Sequence, residues 1–91
     1  MRLEGKVFVG NKVARTVTVE RNEDELRFSK QLENCLLEIC KSLDVSPPIW
    51  MKKNTQEFAR FHQTIFTAEQ FVEEVYFQRL QITWIDDGRN I

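Results

Sequence analysis

Residues 2–20, with the sequence RLEGKVFVGNKVARTVTVE, decide the fold because they predict two β-strands joined at a tight turn. Gly10 and Asn11 mark the turn, and both are residue types that accept the backbone conformations of a tight hairpin. Apolar residues alternate along each half, at Leu3, Val7 and Val9 in the first and at Val13, Val17 and Val19 in the second. We therefore expect a β-hairpin over residues 1–21, with one apolar face.

The loop length sets which residues of the hairpin face each other. A two-residue turn pairs Val9 with Lys12 and places the two apolar sets on opposite faces. A three-residue loop pairs Val9 with Val13. It also places Leu3 opposite Val19, so both apolar sets share one face. We favour the three-residue loop, although the local turn signal favours the shorter one.

A long amphipathic helix is predicted over residues 22–44. Asn22 is a suitable N-cap with acidic residues after it, and the helix should end near Asp44 because Pro47 and Pro48 cannot continue it. One broad arc of the helix is apolar and comprises Phe28, Leu32, Cys35, Leu36, Ile39, Cys40 and Leu43. This arc should pack on the hairpin.

Short helical segments are predicted within residues 47–76. Asn54 is a candidate cap of one helix, with Glu57 at the third helical position, and Thr67 with Gln70 is the equivalent pair for a second helix. Aromatic residues at Phe58, Phe61 and Phe66 are expected to fill the core beneath the sheet.

The last element, residues 77–86, alternates apolar and polar side chains and predicts a strand that joins the hairpin, followed by a polar tail at 87–91. The sequence therefore predicts one α+β domain over residues 1–91. Its antiparallel sheet has three to four strands, formed by the N-terminal hairpin plus the C-terminal strand. One long helix and two short helices cover one face of the sheet.

Composition limits the classes of function. The 91 residues suit one domain, and 42% apolar with 30% charged residues is typical of a folded, soluble protein. The net charge of -1 gives no global attraction to nucleic acid or to anionic membranes, so neither is an expected partner. The N-terminal residues lack the long apolar region of an export signal, so we expect a cytoplasmic location.

Catalytic chemistry has little support in the sequence. The two cysteines, Cys35 and Cys40, fall on the apolar arc of the long helix, where burial disfavours the thiolate. His62 is the one histidine of the chain, and no cysteine, histidine or carboxylate pattern matches a metal-binding motif. We expect a protein without enzymatic activity and without a cofactor.

Cationic residues in the second half allow a different hypothesis, an anion-binding or nucleic-acid-binding site. Lys53, Arg60 and His62 could gather near a helix that starts at Thr67, whose free backbone amides attract negative charge. The alternative, which we favour, is that the neighbouring aromatic rings fill the core while the cations remain in solvent.

Protein interaction is the remaining class. Leu26 and Leu37 lie off the main apolar arc, which could reflect a wider buried surface, a contact with a later segment, or a subunit interface. Trp50 and Trp84 are large amphipathic rings of the type that anchor interfaces. The sequence therefore favours a module that binds another protein or a second copy of itself.

The second half also resembles a group of short, uncharacterised proteins that are encoded in Clostridia-like bacterial genomes. The pattern of this group is carried by Trp50, Asn54, Glu57, Phe58, Thr64, Phe66 and Thr67, followed by a closing strand. The resemblance implies a soluble bacterial protein and no assigned activity or catalytic residue.

Overall fold

The computed structural model describes residues 1–85 as a four-stranded antiparallel sheet with helices on one face. The elements in chain order are β1 (Arg2–Val9), β2 (Lys12–Glu20), α1 (Phe28–Leu43), α2 (Lys52–Phe61), β3 (Gln63–Thr67), a 3-10 turn (Ala68–Gln70) and β4 (Arg79–Trp84). The strand order across the sheet is β2-β1-β4-β3. The predicted α+β class and the antiparallel sheet are confirmed.

The hairpin combines features of both predicted loops. Its turn holds two residues, with Val9 opposite Lys12, so the preferred three-residue loop is wrong. A β-bulge at Ala14 then adds one residue to β2 and shifts the register. Leu3 consequently lies opposite Val19, as predicted, and both are buried. The bulge resolves the conflict between local turn chemistry and the alignment of the apolar sets.

The long helix begins later than predicted, at Phe28 rather than just after Asn22. The acidic residues before it form a turn, in which the amide of Leu26 donates to the carbonyl of Glu23 at 2.9 Å. The Glu23 carboxylate accepts two hydrogen bonds from the Arg21 guanidinium at 2.8 and 3.0 Å. These contacts hold the acidic segment against the end of β2 and replace the first turns of the predicted helix.

The first short helix begins two residues before the predicted cap. The N-cap of α2 is Met51, and Asn54 occupies the third helical position, where its side-chain oxygen accepts from the Met51 amide at 2.9 Å. At the preceding boundary the prediction of an end near Asp44 is right, because α1 ends at Leu43 and its C-cap Asp44 adopts a left-handed conformation with φ of 61°. A glycine is the common residue at such a position, and aspartate tolerates it.

The second predicted short helix does not form. Thr67 and Gln70 do make the predicted reciprocal hydrogen-bond pattern, but it closes a 3-10 turn of three residues, and the chain then runs without regular structure to residue 78. The residues before it form β3, the fourth strand, in which Thr64 and Phe66 face the core. The predicted strand at 77–86 is β4, and residue 86 and the tail at 87–91 lie outside the described residues.

The core lies between the sheet and the helices. Its fully buried large side chains include Leu3, Val7, Ile39, Phe66, Phe77, Leu80 and Ile82. Gly5 of β1 lets α1 approach closely, since a Cβ atom there would lie 2.8 Å from Cγ2 of Ile39. Phe58 and Phe66 are buried as expected, whereas Phe61 is 61% exposed at the last turn of α2.

Candidate docking groove

An apolar groove of about 600 Å³ separates the two helices. The main walls are Phe28, Leu32, Leu36 and Leu37 from α1, with Trp50 and Phe58 on the other side. We call this feature the α1–α2 groove. Nearly all of its lining surface consists of carbon atoms.

The sheet topology explains why the helices stand apart. The long helix α1 packs on β1 and β2, whereas α2 packs on β3 at the opposite edge. Because β4 lies between β1 and β3, the two helices cover different halves of the sheet. The segment that joins them passes through Pro47 and Pro48, which also line the groove. The groove therefore follows from strand order.

Aromatic packing fixes the α2 side of the groove. The indole nitrogen of Trp50 donates to the Thr55 hydroxyl at 2.7 Å, which sets the orientation of the ring. The Trp50 ring lies 5.5 Å from Phe66 and 6.3 Å from Phe58, measured between centroids. Across the groove Phe28 lies 6.3 Å from Phe58. These separations are typical of packed aromatic pairs, so this wall is preformed.

Large apolar side chains remain exposed at the groove and beside it. Phe28 is 43% exposed and Leu37 is 42% exposed, although both line the groove. Ile49 and Met51, which flank Trp50 in the sequence, are each about half exposed. Phe28 and Leu37 therefore leave apolar surface exposed inside a concave site, which is the kind of surface that binds a partner.

Charges of both signs lie near the groove. On α1, Lys30 lies about two turns before the groove residue Leu37, and Lys41 lies about one turn after it. On α2, Lys52 lies one turn before the groove residues and is exposed. The one carboxylate in the lining is Glu33, which already pairs with Lys30 at 3.4 Å. Lys30 and Glu33 therefore cancel, and Lys41 lies near Asp44 and Glu73 in a neighbouring depression, which leaves Lys52 and in part Lys41 as positive groups available to a partner.

The residues predicted to form an interface are partly brought together. Leu37 and Trp50 both line the α1–α2 groove. Trp84 is 36% exposed at the end of β4, and its ring lies 4.9 Å from that of Phe28, so it extends the same aromatic surface. Leu26 lies apart, in the turn before α1, and is half-buried.

The residues predicted to bind an anion are spread over two ends of α2 and β3. His62 precedes the first residue of β3 and Thr67 is the last residue of that strand, so they lie about 16 Å apart along an extended chain. Lys53 and Arg60 are separated by about 10 Å along α2. The His62 ring packs against Trp84, with centroids 5.1 Å apart. The short 3-10 turn after Thr67 replaces the helix that was expected to supply free amides.

A buried polar network ties α2 to β3. Asn54 is fully buried and donates to the Thr64 hydroxyl at 2.7 Å, and that hydroxyl donates to the Glu57 carboxylate at 2.6 Å. The side-chain amide of Gln70 donates to Asn54 at 3.0 Å and to the Ile49 carbonyl at 3.0 Å. Because the buried Asn54, Thr64 and Gln70 side chains satisfy one another, we interpret the network as structural.

This network was missed in the sequence, where Asn54, Glu57 and Gln70 were interpreted as helix-capping residues. Three of the residues that carry the resemblance to the bacterial group, Asn54, Glu57 and Thr64, are members of it, and Trp50 and Phe58 pack beside it. A polar residue on the buried side of a five-residue strand is the signal that could have revealed it. The pattern thus marks how α2 packs on the sheet.

The thiols lack the environment of a nucleophile. Cys35 and Cys40 are both buried on the sheet side of α1. Burial raises the pKa of Cys35 above its ordinary value and raises the pKa of Cys40 to about 11. Within residues 1–85 no group of three or more histidine, cysteine or acidic side chains is placed to hold a metal ion, and no helix is long and apolar enough to cross a membrane.

Comparisons of the chain with protein-family models, with curated proteins and with solved structures give no match. The resemblance to short Clostridia-like proteins therefore stays a prediction. The geometry of the chain itself carries the functional argument.

Proposed function

We propose that this protein is a non-catalytic interaction module whose α1–α2 groove binds an acidic, amphipathic helix of a partner protein. The observation that carries the proposal is the preformed apolar groove between two helices, with Phe28 and Leu37 exposed inside it. A helix that lays its apolar face into such a groove is a recurring mode of peptide recognition.

The length of the groove suits a helix. The α1 wall runs from Phe28 to Leu37, which is about 14 Å at the rise of an α-helix. Apolar anchors at positions i, i+3 and i+7 of a partner helix span about 10 Å and fit within that wall. Trp50 and Phe58 form the facing wall, and aromatic residues are enriched among the anchors of protein interfaces.

Two lysines beside the groove support an acidic partner. Lys41 and Lys52 lie on the two sides of the groove, and neither forms an ion pair with another residue in 1–85. A partner helix with glutamates beside its apolar stripe would place negative charge next to both. Such complementarity raises the association rate and discriminates against basic partners.

Binding of two designed probe peptides tests the proposal. The acidic probe is an amphipathic helix with leucines at i, i+3 and i+7 and glutamates on its flanks, and the basic probe has lysines in place of those glutamates. Fluorescence anisotropy should show the acidic probe binding at least about tenfold more tightly at low salt, with the preference shrinking as salt is added. Equal binding of the two probes would contradict the preference for an acidic partner. No binding of either probe would contradict the groove as a docking site for a helix.

Matched substitutions separate the groove from general stickiness. Leu37→Glu puts a like charge into the groove and should abolish binding of the acidic probe. Val72→Glu makes the same type of change at a side chain that is 79% exposed outside the groove lining, and should leave binding intact. Lys52→Glu should weaken binding of the acidic probe and strengthen binding of the basic probe. Lys12→Glu, at the hairpin turn, should change the binding of neither probe.

An apolar small molecule is the competing occupant, since a volume of about 600 Å³ is within the range of ligand pockets. Native mass spectrometry of the purified protein would detect such a molecule as added mass. A retained apolar ligand that blocks the acidic probe would replace the helix proposal. A ligand-free mass together with probe binding supports it.

A further inference from the structure

The lining of the α1–α2 groove includes three residues that carry a hydroxyl or a carboxylate, which are Ser29, Glu33 and Thr55. The Glu33 carboxylate is paired with Lys30 at 3.4 Å. The Thr55 hydroxyl oxygen accepts from the indole nitrogen of Trp50 at 2.7 Å. Thr55 is therefore a polar group built into the same wall of the groove as the Trp50 ring.

The contact with Trp50 uses only part of the hydrogen-bonding capacity of the Thr55 hydroxyl. A hydroxyl offers one donor hydrogen and two acceptor lone pairs, whereas an indole nitrogen can only donate. The indole therefore occupies a lone pair and leaves the hydroxyl hydrogen unused. This contact is the one side-chain hydrogen bond of Thr55 among residues 1–85, and Thr55 is exposed. The hydroxyl hydrogen is thus available to a partner in the groove.

The position of this donor is fixed by the aromatic wall. The Trp50 ring lies 5.5 Å from the ring of Phe66 and 6.3 Å from that of Phe58, measured between centroids, and both of these phenylalanines are buried. The indole in turn holds one lone pair of the hydroxyl. Hydrogen bonds in series polarise one another, so a hydroxyl that accepts from an indole is a better donor.

A small residue leaves a path to the hydroxyl. Ala59 lies four residues after Thr55, on the same face of α2, and both residues line the groove. Ala59 is exposed and its side chain is a single methyl group. A side chain of a partner helix that passes over Ala59 therefore meets no bulky group before it reaches Thr55.

A cation lies beside the hydroxyl on the same helix. Lys52 precedes Thr55 by three residues, and residues at this spacing are neighbours on a helix surface. Lys52 is exposed and forms no ion pair with another residue in 1–85. A carboxylate that accepts from the Thr55 hydroxyl would therefore also lie near the Lys52 ammonium, which favours an acidic side chain at this point.

We infer that Thr55 selects partner helices that carry a hydrogen-bond acceptor beside their apolar stripe, on the flank that faces α2. The inference rests on the proposed function, because it assigns a contact to one flanking glutamate of the partner. A bound helix excludes water from the groove, and a buried donor left without an acceptor is costly. A glutamate opposite Thr55 accepts from the hydroxyl, whereas an apolar residue there leaves the donor unpaired.

Two probe peptides of equal charge separate this hydrogen bond from the field of the lysines. Both are the acidic probe with one flanking glutamate replaced, by glutamine in the first and by methionine in the second. Both replacements are unbranched and neutral, but only glutamine offers an acceptor oxygen. A partner helix can enter the groove in either direction. The pair of probes is therefore made at i−1 and again at i+4, the positions that border the stripe on its two sides.

Fluorescence anisotropy should show the glutamine probe binding about tenfold more tightly than the methionine probe at one border of the stripe. This border is the one that faces α2. At the other border, which faces α1, glutamine should give no advantage. The second border therefore serves as the internal control for any general effect of methionine on binding.

Two variants of the protein test the role of the hydroxyl. Thr55→Val removes it, keeps the branched shape of the side chain and should abolish the advantage of glutamine. Thr55→Ser keeps the hydroxyl and should retain the advantage. The ratio of the two dissociation constants is the readout, because loss of the acceptor for the Trp50 indole in Thr55→Val acts on both probes alike. Circular dichroism checks that both variants are folded.

The outcomes distinguish this inference from the proposed function. An advantage of glutamine that persists in Thr55→Val, or that is missing at both borders, would overturn the role of Thr55 while the binding of the probes still supports the groove. Failure of every probe to bind, including the original acidic one, would overturn the proposed function and this inference with it.

Discussion

Replacement of Asn54 by leucine should destabilise the fold far more than a surface substitution does. Asn54 makes four hydrogen bonds while fully buried. Two of its partners, the Thr64 hydroxyl and the Gln70 side-chain amide, keep another hydrogen bond when Asn54 is lost. The Met51 amide and the Ile65 carbonyl have no other partner among residues 1–85.

The magnitude follows from these two orphaned groups. Each buried backbone group left without a partner costs about 1–3 kcal/mol. Both lie near the surface of the network, where water can reach them in part, so a total of about 3 kcal/mol is expected. That is a large share of the roughly 5–15 kcal/mol that stabilises a domain of this size.

Urea denaturation followed by circular dichroism measures this loss as a lower midpoint with an unchanged slope. The control is Gln56→Leu, an exposed position on the same helix, which should change the free energy of unfolding by less than about 0.5 kcal/mol. A loss below about 1 kcal/mol for Asn54→Leu would show that the network contributes little and would refute this reasoning.

Three further predictions concern the core and the ionisable groups. Gly5→Ala should cost about 1–3 kcal/mol of unfolding free energy in the same assay, because the new methyl group meets Ile39 at 2.8 Å, and an unchanged midpoint would contradict the tight contact. Folding raises the pKa of the Cys40 thiol from 9.0 to about 11, so the neutral thiol makes its full contribution to the free energy of unfolding below pH 9. This contribution should be lost as pH rises toward 11, and Cys40→Ala should flatten the decline in the free energy of unfolding. The hydrogen bond from Arg21 lowers the pKa of the Glu23 carboxylate below its ordinary value of 4.5. The contribution of this carboxylate to the free energy of unfolding should therefore be lost as pH falls below 4.5. Thermal melting should show that Glu23→Gln removes this part of the acid sensitivity.

The sequence predicted the hairpin and its core pairing better than it predicted the turn. Leu3 faces Val19 because both must be buried, and this requirement is visible in the alternation of apolar residues. The bulge at Ala14 could not be predicted from residue type, because any residue can occupy a bulge. It forms because the two-residue turn and the alignment of the apolar residues require registers that differ by one residue. Val9 and Val13, beyond the bulge, are about half exposed, so the apolar pattern extended further than the core does.

Tertiary contacts account for the remaining differences. The acidic residues after Asn22 resemble a helix start, but the Glu23 carboxylate accepts hydrogen bonds from Arg21 at the end of β2 and does not cap a helix. The strand β3 was hidden because Thr64, a polar residue, faces the core, where Asn54 bonds to it. Such partners are distant in sequence, and local propensity carries no information about them.

The candidate site shows the same division. The periodicity singled out Leu37 as off the main apolar arc, and Trp50 was recognised as an interface type, and both line the groove. Phe28 was assigned to the core, whereas it is 43% exposed at the groove wall. The groove itself could not be predicted, since it exists because the strand order places α1 and α2 on different halves of the sheet.

Nuclear magnetic resonance titration of the isotopically labelled protein with the acidic probe peptide is the most direct measurement of where a partner helix binds. We expect the amide shifts to concentrate in residues 28–37 of α1 and in residues 50–59 around α2, and to vanish in Leu37→Glu. Shifts spread over the polar face of the sheet, or shifts that persist in Leu37→Glu, would contradict the groove as the docking site.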